Sequence, residues 1–337
     1  MTTANLGKAR ARAGTNIALV KYWGKRDATL NLPAAGSLSL TLGELGTETQ
    51  VTFLPRTATQ TDDVVLLGGQ PVDDKFRARV SRFLDRIRMR AKLDACARVE
   101  SINTVPTAAG LASSASGFAA LAVAASHAAG LSLTPAELSE LSRLGSGSAA
   151  RSIFGGLALM SAGQAPDGHD AVARPIEGAH DWPLRLVVAM TSNTEKALSS
   201  TAAMTRTEET SPYYAAWVAS VDADLKAACA AIEARDFHEL GKTAERSCLR
   251  MHACALAADP GILYFNPATL AAISTVRALR SEGVPVYFTI DAGPHVKALC
   301  LAPDAEKVEK KLATTPGVLR TMVAGPGPGT ELLTPTP

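Results

Sequence analysis

Several stretches of the chain combine residue types that can do chemistry. Pro106-Thr107-Ala108-Ala109-Gly110-Leu111-Ala112-Ser113-Ser114-Ala115-Ser116-Gly117 follows a strand-like run and leads into an alanine-rich one. Small residues there permit close backbone approach, and hydroxyls fall in the first turn of the helix that begins. The free N–H groups and positive dipole end of such a junction suit phosphate oxygens. Ser113, Ser114 or Ser116 could also ligate a metal held by those phosphates. An ordinary helix start packed on a neighbour would use the same residues. Between Asn16 and Asp27, Lys21, Lys25 and Arg26 stand beside Tyr22 and Trp23 at the end of an apolar strand. They can bind an anion there or simply be solvated. Ser146-Gly147-Ser148-Ala149-Ala150-Arg151 is a second small-residue turn, and its arginine suits capture of a carboxylate or phosphate unless it lies on a helix surface. Asp291 ends the apolar run Val284–Ile290 and precedes Ala-Gly-Pro, so it is either a turn cap or a positioned acid/base group.

Other patterns drop out on context. Gly241-Lys242-Thr243 resembles the end of a P-loop, but the required upstream glycine falls on Asp236 and the preceding stretch is helical. Gly145–Ala150 mimics a dinucleotide fingerprint yet follows a helix instead of a strand. The 6 histidines show no metal-ligand spacing, and no G-x-S-x-G elbow occurs.

The elements that must position these groups read as follows. Strands are expected at 15–22, 37–42, 49–54, 63–67 and 95–103. A charged amphipathic helix is expected at 74–91 and an alanine-rich one at 113–129. Thr134-Pro135-Ala136-Glu137 combines a capping box with proline at the first helical position and opens another helix. A strand follows Gly155-Gly156. The second half starts with a buried strand at 184–191, then has helices near 211–234 and 235–254 and one from Pro267 to about 282. Strands 284–290, 295–301 and 318–323 and a helix at 303–314 complete it, before an irregular tail from Gly325. Strand-rich first and helix-rich second is an α+β pattern, with a natural cut after residue 183. The amino-terminal 14 residues read as a frayed basic tail without a secretory apolar segment.

Composition narrows the classes. The chain has 337 residues, with 34 Lys+Arg against 32 Asp+Glu, a net charge of +2, and 20% charged residues. That balance argues against a nucleic-acid binder and against long disorder. No apolar run approaches the ~20 residues of a membrane helix. The 5 cysteines contain no C-x-x-C pair, which fits a reduced, cytoplasmic interior.

Taken together and in order, NIALVKYWGKRD (16–27), LNLP (30–33), PTAAGLASSASGFAALA (106–122), GSGSAARSIFGG (145–156), DGHD (167–170), SSTAAM (199–204) and FTIDAGPHV (288–296) resemble the mevalonate diphosphate decarboxylase family of the GHMP kinase superfamily. The resemblance implies a two-lobed α+β fold, residues 1–183 and 184–337, with the site in the cleft between lobes. It implies ATP-dependent decarboxylation of mevalonate 5-diphosphate, with ATP and Mg²⁺ as cofactors, a cytoplasmic homodimer, and no nucleic-acid or membrane partner. The substrate has no carbonyl to accept the electrons left by carbon dioxide. Its tertiary hydroxyl must therefore leave as phosphate, and the site must exclude water. By position, Asp291 matches the family's catalytic aspartate, Lys21 its neighbouring cation, Arg151 the substrate-carboxylate arginine, and Asn16 that arginine's hydrogen-bonding neighbour. Tyr22, Trp23, Gly24 and Lys25 match substrate-binding segments, as do Ser146, Gly147 and Ser148. Arg79, and Thr201 after Ser200, match diphosphate contacts. Pro106, Gly110, Leu111, Ala112, Ser113, Ser114 and Ser116 match the phosphate loop, with Ser114 near the metal. Ala34-Ala35-Gly36 stands where many relatives carry Asn, Asp or Ser. A mevalonate 5-phosphate decarboxylase and a catalytically silent ligand sensor of the same fold are the alternatives.

Overall fold

The structure, a computed structural model, describes residues 7–57, 61–104, 113–178, 181–194 and 198–336. The phosphate-loop positions Pro106, Gly110, Leu111 and Ala112 lie outside the described residues, and of Ser113 only the backbone is described.

The chain begins with a 13-residue strand, β1 (Lys8–Val20). Its first half is Lys-Ala-Arg-Ala-Arg-Ala, a period-2 pattern in which Ala9, Ala11 and Ala13 are buried and the long cations point away. The expected frayed tail is therefore corrected from Lys8 onward. The short strands β2 (Lys25–Asp27) and β3 (Leu32–Pro33) pair with each other. The runs expected at 37–42 and 49–54 are one 18-residue strand, β4 (Ser37–Leu54), antiparallel to β1 along almost its whole length. β5 (Val64–Leu67) and β6 (Gln70–Pro71) lead into α1 (Asp74–Ala91), whose N-terminus is capped by Asp73. β7 (Cys96–Asn103) returns beside β4, and α2 (Ser113–Ala128) follows. Nine residues of α2, from Phe118 to Ala128, belong to one apolar cluster with β1, β4 and α1. Its many alanines let the helix axis approach the sheet closely. α3 (Pro135–Gly145) opens with the expected Thr134/Glu137 capping box. A single turn, α4 (Ala149–Ser152), carries Arg151, and β8 (Leu157–Met160) and β9 (Ala173–Pro175) extend the sheet from the first half of β4.

The second half is a four-stranded antiparallel sheet under helices. β10 (Leu184–Met190) lies at its centre, and α5 (Ser200–Thr210), absent from the sequence expectation, follows. α6 (Tyr214–Glu233), α7 (Phe237–Leu256) and α8 (Pro267–Ser281) precede β11 (Val286–Thr289) and β12 (Val296–Leu301). After α9 (Ala305–Ala313), β13 (Arg320–Ala324) completes the order β11-β12-β10-β13. The Gly325–Gly329 segment then runs against the first half: Gly156 N–H donates to the Gly327 carbonyl at 2.9 Å, and Gly327 N–H to the Thr41 carbonyl at 2.9 Å. β14 (Glu331–Leu333) finally pairs with β1, so the tail is irregular only as far as Thr330. One apolar cluster joins the ends of β1 and β4 to β10, α6 and α7. The two sheets therefore share a core at the seam where β1 ends.

Candidate active site

Lys21 directly follows β1, and Asp291 comes two residues after β11. Four contacts hold these two ends together, one directly and three through α7. Thr289 Oγ1 donates to the Ala18 carbonyl at 3.1 Å. The Lys21 backbone N–H donates to Ser247 Oγ at 3.0 Å. The Ile290 N–H donates to Cys248 Sγ at 3.1 Å, while His252 Nε2 lies 3.1 Å from the Ile290 carbonyl. Ser247, Cys248 and His252 occupy one face of α7, so this helix holds both backbones in register. Burial pushes the Cys248 thiol up to about 11 and the His252 ring down to about 3. Both are neutral and serve as packing and hydrogen-bonding groups.

The side chains at this seam form a charge cluster. Lys21 Nζ is 2.6 Å from Asp291 Oδ1, and Lys297 Nζ is 3.1 Å from Oδ2. The two lysine side chains are 2% and 3% exposed, while the carboxylate keeps 30% exposure. Burial alone would raise the Asp291 carboxyl, but Lys21 and then Lys297 outweigh it and hold the group far below the usual carboxylate range. Burial lowers Lys297.

Arg151, 1% exposed, is fixed entirely by neutral acceptors. Its Nε donates to Ser39 Oγ at 2.9 Å, Nη1 to Ser37 Oγ at 2.5 Å and Nη2 to Asn16 Oδ1 at 3.1 Å. Ser37 and Ser39 share a face of β4 through the strand's two-residue period. Asn16 is held in turn by Ser148 and Ser152. Burial brings Arg151 down to about 10, so it stays charged at neutral pH. Lys21, Lys297 and Arg151 thus set three positive charges against the single Asp291 carboxylate, a local surplus of two. A buried surplus of that kind calls for an anionic ligand.

A cavity of about 790 Å³ opens in front of Asp291, lined from both halves of the chain. Asn16, Lys21, Tyr22, Trp23, Lys25, Arg79, Ser114, Ser146, Gly147, Ser148, Arg151, Ser200, Thr201 and Asp291 all line it. The Tyr22 hydroxyl and the Trp23 indole N–H are buried without a partner among the described residues. Gly147 leaves room for that tyrosine, since a Cβ there would sit 2.2 Å from its hydroxyl. The far end of the cavity is cationic. Lys25 is held by Asn31 at 2.6 Å, and Arg79 donates to the Gly145 carbonyl at 2.7 Å while lying 4.6 Å over the Phe118 ring. Burial lowers Lys25, with Arg79 adding to the effect, and likewise lowers Arg79, with Arg82 adding to it.

Two expected residues do not face this cavity. Ser116 is fully buried and lies 2.7 Å from Thr47 Oγ1, turned toward the sheet on the far side of α2 from a ligand. Gly24 takes φ +86, and a Cβ on it would sit 1.9 Å from the Tyr214 hydroxyl. It lets the chain turn beneath the cavity wall without contributing a lining atom. By contrast Ser114 stands exposed at the cavity, its Oγ 3.4 Å from Ser146 Oγ.

Sequence reasoning missed Lys297, Ser37, Ser39, Arg82 and Arg86. The last two line the cavity with Arg79 at helical positions i, i+3 and i+7 of α1, a spacing that puts them on one face. Lys297 carried a usable signal: a lysine inside the apolar strand Val-Lys-Ala-Leu-Cys-Leu needs a partner.

Comparison with known proteins follows the same lines. The diphosphomevalonate decarboxylase-like N-terminal domain model matches residues 13–173, and the mevalonate 5-diphosphate decarboxylase C-terminal domain model matches residues 186–320. The solved structure of MDDEF in complex with MVAPP, AMPPCP and magnesium superposes with a TM-score of 0.91 at 43% identity, covering 98% of this chain and 100% of that one. Diphosphomevalonate decarboxylase mvd1 of Aspergillus fumigatus is 36% identical, over 96% of this chain and 82% of its own. Phosphomevalonate decarboxylase of Haloferax volcanii is 34% identical, over 97% of this chain and 98% of its own.

Proposed function

The chain belongs to the mevalonate diphosphate decarboxylase family of the GHMP kinase superfamily, and we propose how its cavity performs the ATP-dependent decarboxylation of mevalonate 5-diphosphate to isopentenyl diphosphate, ADP, phosphate and carbon dioxide. One observation carries the reading. An ionised carboxylate between two lysines shares a cavity with a buried arginine that has no carboxylate partner among the described residues.

The tertiary hydroxyl donates to Asp291. Each carboxylate oxygen already accepts one lysine hydrogen bond and retains lone-pair capacity for the alcohol. So weak a base orients the hydroxyl and takes its proton only as the oxygen–phosphorus bond forms. Lys21 stabilises the negative charge that develops there. Arg151 uses three of its five N–H donors on Ser37, Ser39 and Asn16, leaving two for the substrate carboxylate. That contact holds the carboxylate until phosphate loss makes the adjacent carbon electron-poor. Asn16 keeps the fork in place.

The diphosphate goes to the cationic end, held by Lys25 and Arg79 with Tyr22, Trp23, Ser146, Gly147, Ser148, Ser200 and Thr201. Two phosphoryl groups rather than one match the array of Lys25, Arg79, Arg82 and Arg86 along that wall. The nucleotide phosphates take the N-terminal end of α2 and the segment that includes Pro106, Gly110, Leu111, Ala112 and Ser113. Among the described residues no cluster of three or more His, Cys, Asp or Glu side chains could hold a metal. Ser114, a hard hydroxyl donor at the cavity, fits a magnesium ion that takes its remaining ligands from phosphate oxygens. When bound, Mg²⁺ neutralises phosphate charge and favours transfer of the terminal phosphoryl group.

The reading includes division of the chain after residue 183, a homodimer and a cytoplasmic location. No helix among the described residues is long and apolar enough to cross a membrane. The decisive assay compares ATP-dependent carbon dioxide release from mevalonate 5-diphosphate and mevalonate 5-phosphate. Preference for the diphosphate is expected. A large preference for the monophosphate overturns the substrate assignment, and no release from either overturns the activity.

A further inference from the structure

We propose that Lys297 is a positioning residue for Asp291, fixing the plane of its carboxylate from the side away from the substrate. The inference rests on the reading of Asp291 as the group that receives the tertiary hydroxyl. Its evidence is geometric. Lys21 and Asp291 line the cavity, whereas Lys297 does not. Lys297 rises from β12, one strand in from the edge strand β11 that leads to Asp291, and reaches Oδ2 while Lys21 reaches Oδ1.

Asp291 sits in a turn beyond its strand, closed by the Gly293 N–H donating to the Asp291 carbonyl at 2.7 Å. Anchored only through Oδ1, its carboxylate could pivot about its side-chain bonds. A second anchor on the other oxygen removes that freedom and aims the remaining lone pairs into the cavity. Reacting groups need such definition, because a displacement of ~1 Å can cost on the order of 100-fold in rate.

Among the described residues, the charged and titratable neighbours of the carboxylate come from four elements. Lys21 lies at the end of β1, Arg151 on α4, Cys248 and His252 on α7, and Lys297 on β12. The thiol and the imidazole are neutral. Two lysines therefore serve one carboxylate, one more cation than charge balance requires. Pairing alone does not explain the second lysine, because Lys21 already supplies it. Removing Lys297 also leaves the buried Lys21–Asp291 pair intact, so no orphaned charge arises.

The test uses Lys297→Met, Lys297→Arg and Asp291→Asn in the full-length enzyme. Lys297→Met is expected to fold, to melt no lower than wild type, and to lose ~10- to 100-fold in kcat with KM for both substrates unchanged. Lys297→Arg, which keeps a cation, is expected to recover much of that kcat. The carbon-13 signal of the Asp291 carboxyl is expected to titrate about 1–3 units higher in Lys297→Met. Wild-type kcat in Lys297→Met overturns the proposal, as does a loss confined to KM. Failure of that variant to fold does so too, since it makes Lys297 a residue of structure alone. These outcomes separate from failure of the underlying reading: turnover surviving in Asp291→Asn refutes the role of Asp291 itself, whatever Lys297 does.

Discussion

Substituting Arg151 by lysine preserves the charge and removes the planar fork, so it isolates what the geometry contributes. In the native site three different nitrogens reach Ser39, Ser37 and Asn16 at 2.9, 2.5 and 3.1 Å. A lysine ammonium carries its three donors on one atom and cannot span acceptors arranged around a guanidinium. Two of these acceptors then lose their donor in a region where Arg151 is 1% exposed. Each unsatisfied buried group costs about 1–3 kcal/mol. Rotation of the serine hydroxyls toward other acceptors recovers part of this, so a net destabilisation of about 2–4 kcal/mol is expected. Loss of the two-pronged hold on the substrate carboxylate removes about 1.5–3 kcal/mol of charge-assisted bonding. At 1.36 kcal/mol per decade that is roughly a 10- to 150-fold fall in kcat/KM. Carbon dioxide release gives the rate and thermal melting the stability. Unchanged kinetics with an unchanged melting temperature would show that the fork holds neither the serines nor the substrate.

Arg79→Ala removes a cation from the far end of the cavity and should raise KM for the diphosphate substrate ~10-fold or more, with a smaller effect on KM for ATP; the reverse pattern would move the diphosphate elsewhere. A pH effect follows from His252, whose ring burial holds at about 3 against an ordinary ~6.5. The unfolded chain takes up a proton below ~6.5 that the folded chain refuses, so stability present above that pH is lost as pH falls toward 3. The slope is ~1.4 kcal/mol per unit, or about 2 kcal/mol between pH 6.5 and 5. His252→Asn should show a correspondingly smaller loss in urea unfolding between pH 7 and 5, and an equal loss in both proteins would contradict a buried neutral ring.

Much of the site was legible in the sequence because its groups sit at the ends of apolar runs, where strand meets turn. Asp291 and Lys21 both stand out that way, and the capping box at Thr134 fixed a helix start from four residues. Other features were hidden for definite reasons. Lys8–Ala13 alternates strictly, but alanine is a weak strand former, so the pattern read as a basic tail until pairing with β4 and β14 supplied the reason for it. Ser37 and Ser39 acquire meaning only when Arg151, 114 and 112 residues away respectively, lies over them. Arg82 and Arg86 share a face with Arg79, yet α1 carries so many arginines that spacing alone does not choose among them. Ser116 shows the opposite error. It belongs to the same serine-rich stretch as Ser114 but lies two residues on, about 200° around a helix of 3.6 residues per turn, and so faces the sheet.

The most direct measurement is carbon dioxide release by Asp291→Ala at saturating mevalonate 5-diphosphate and ATP, with calorimetric binding of the diphosphate substrate to the same protein. A fall in kcat of at least ~100-fold with substrate binding retained is expected if an ionised carboxylate between Lys21 and Lys297 receives the alcohol. Turnover close to wild type would contradict it.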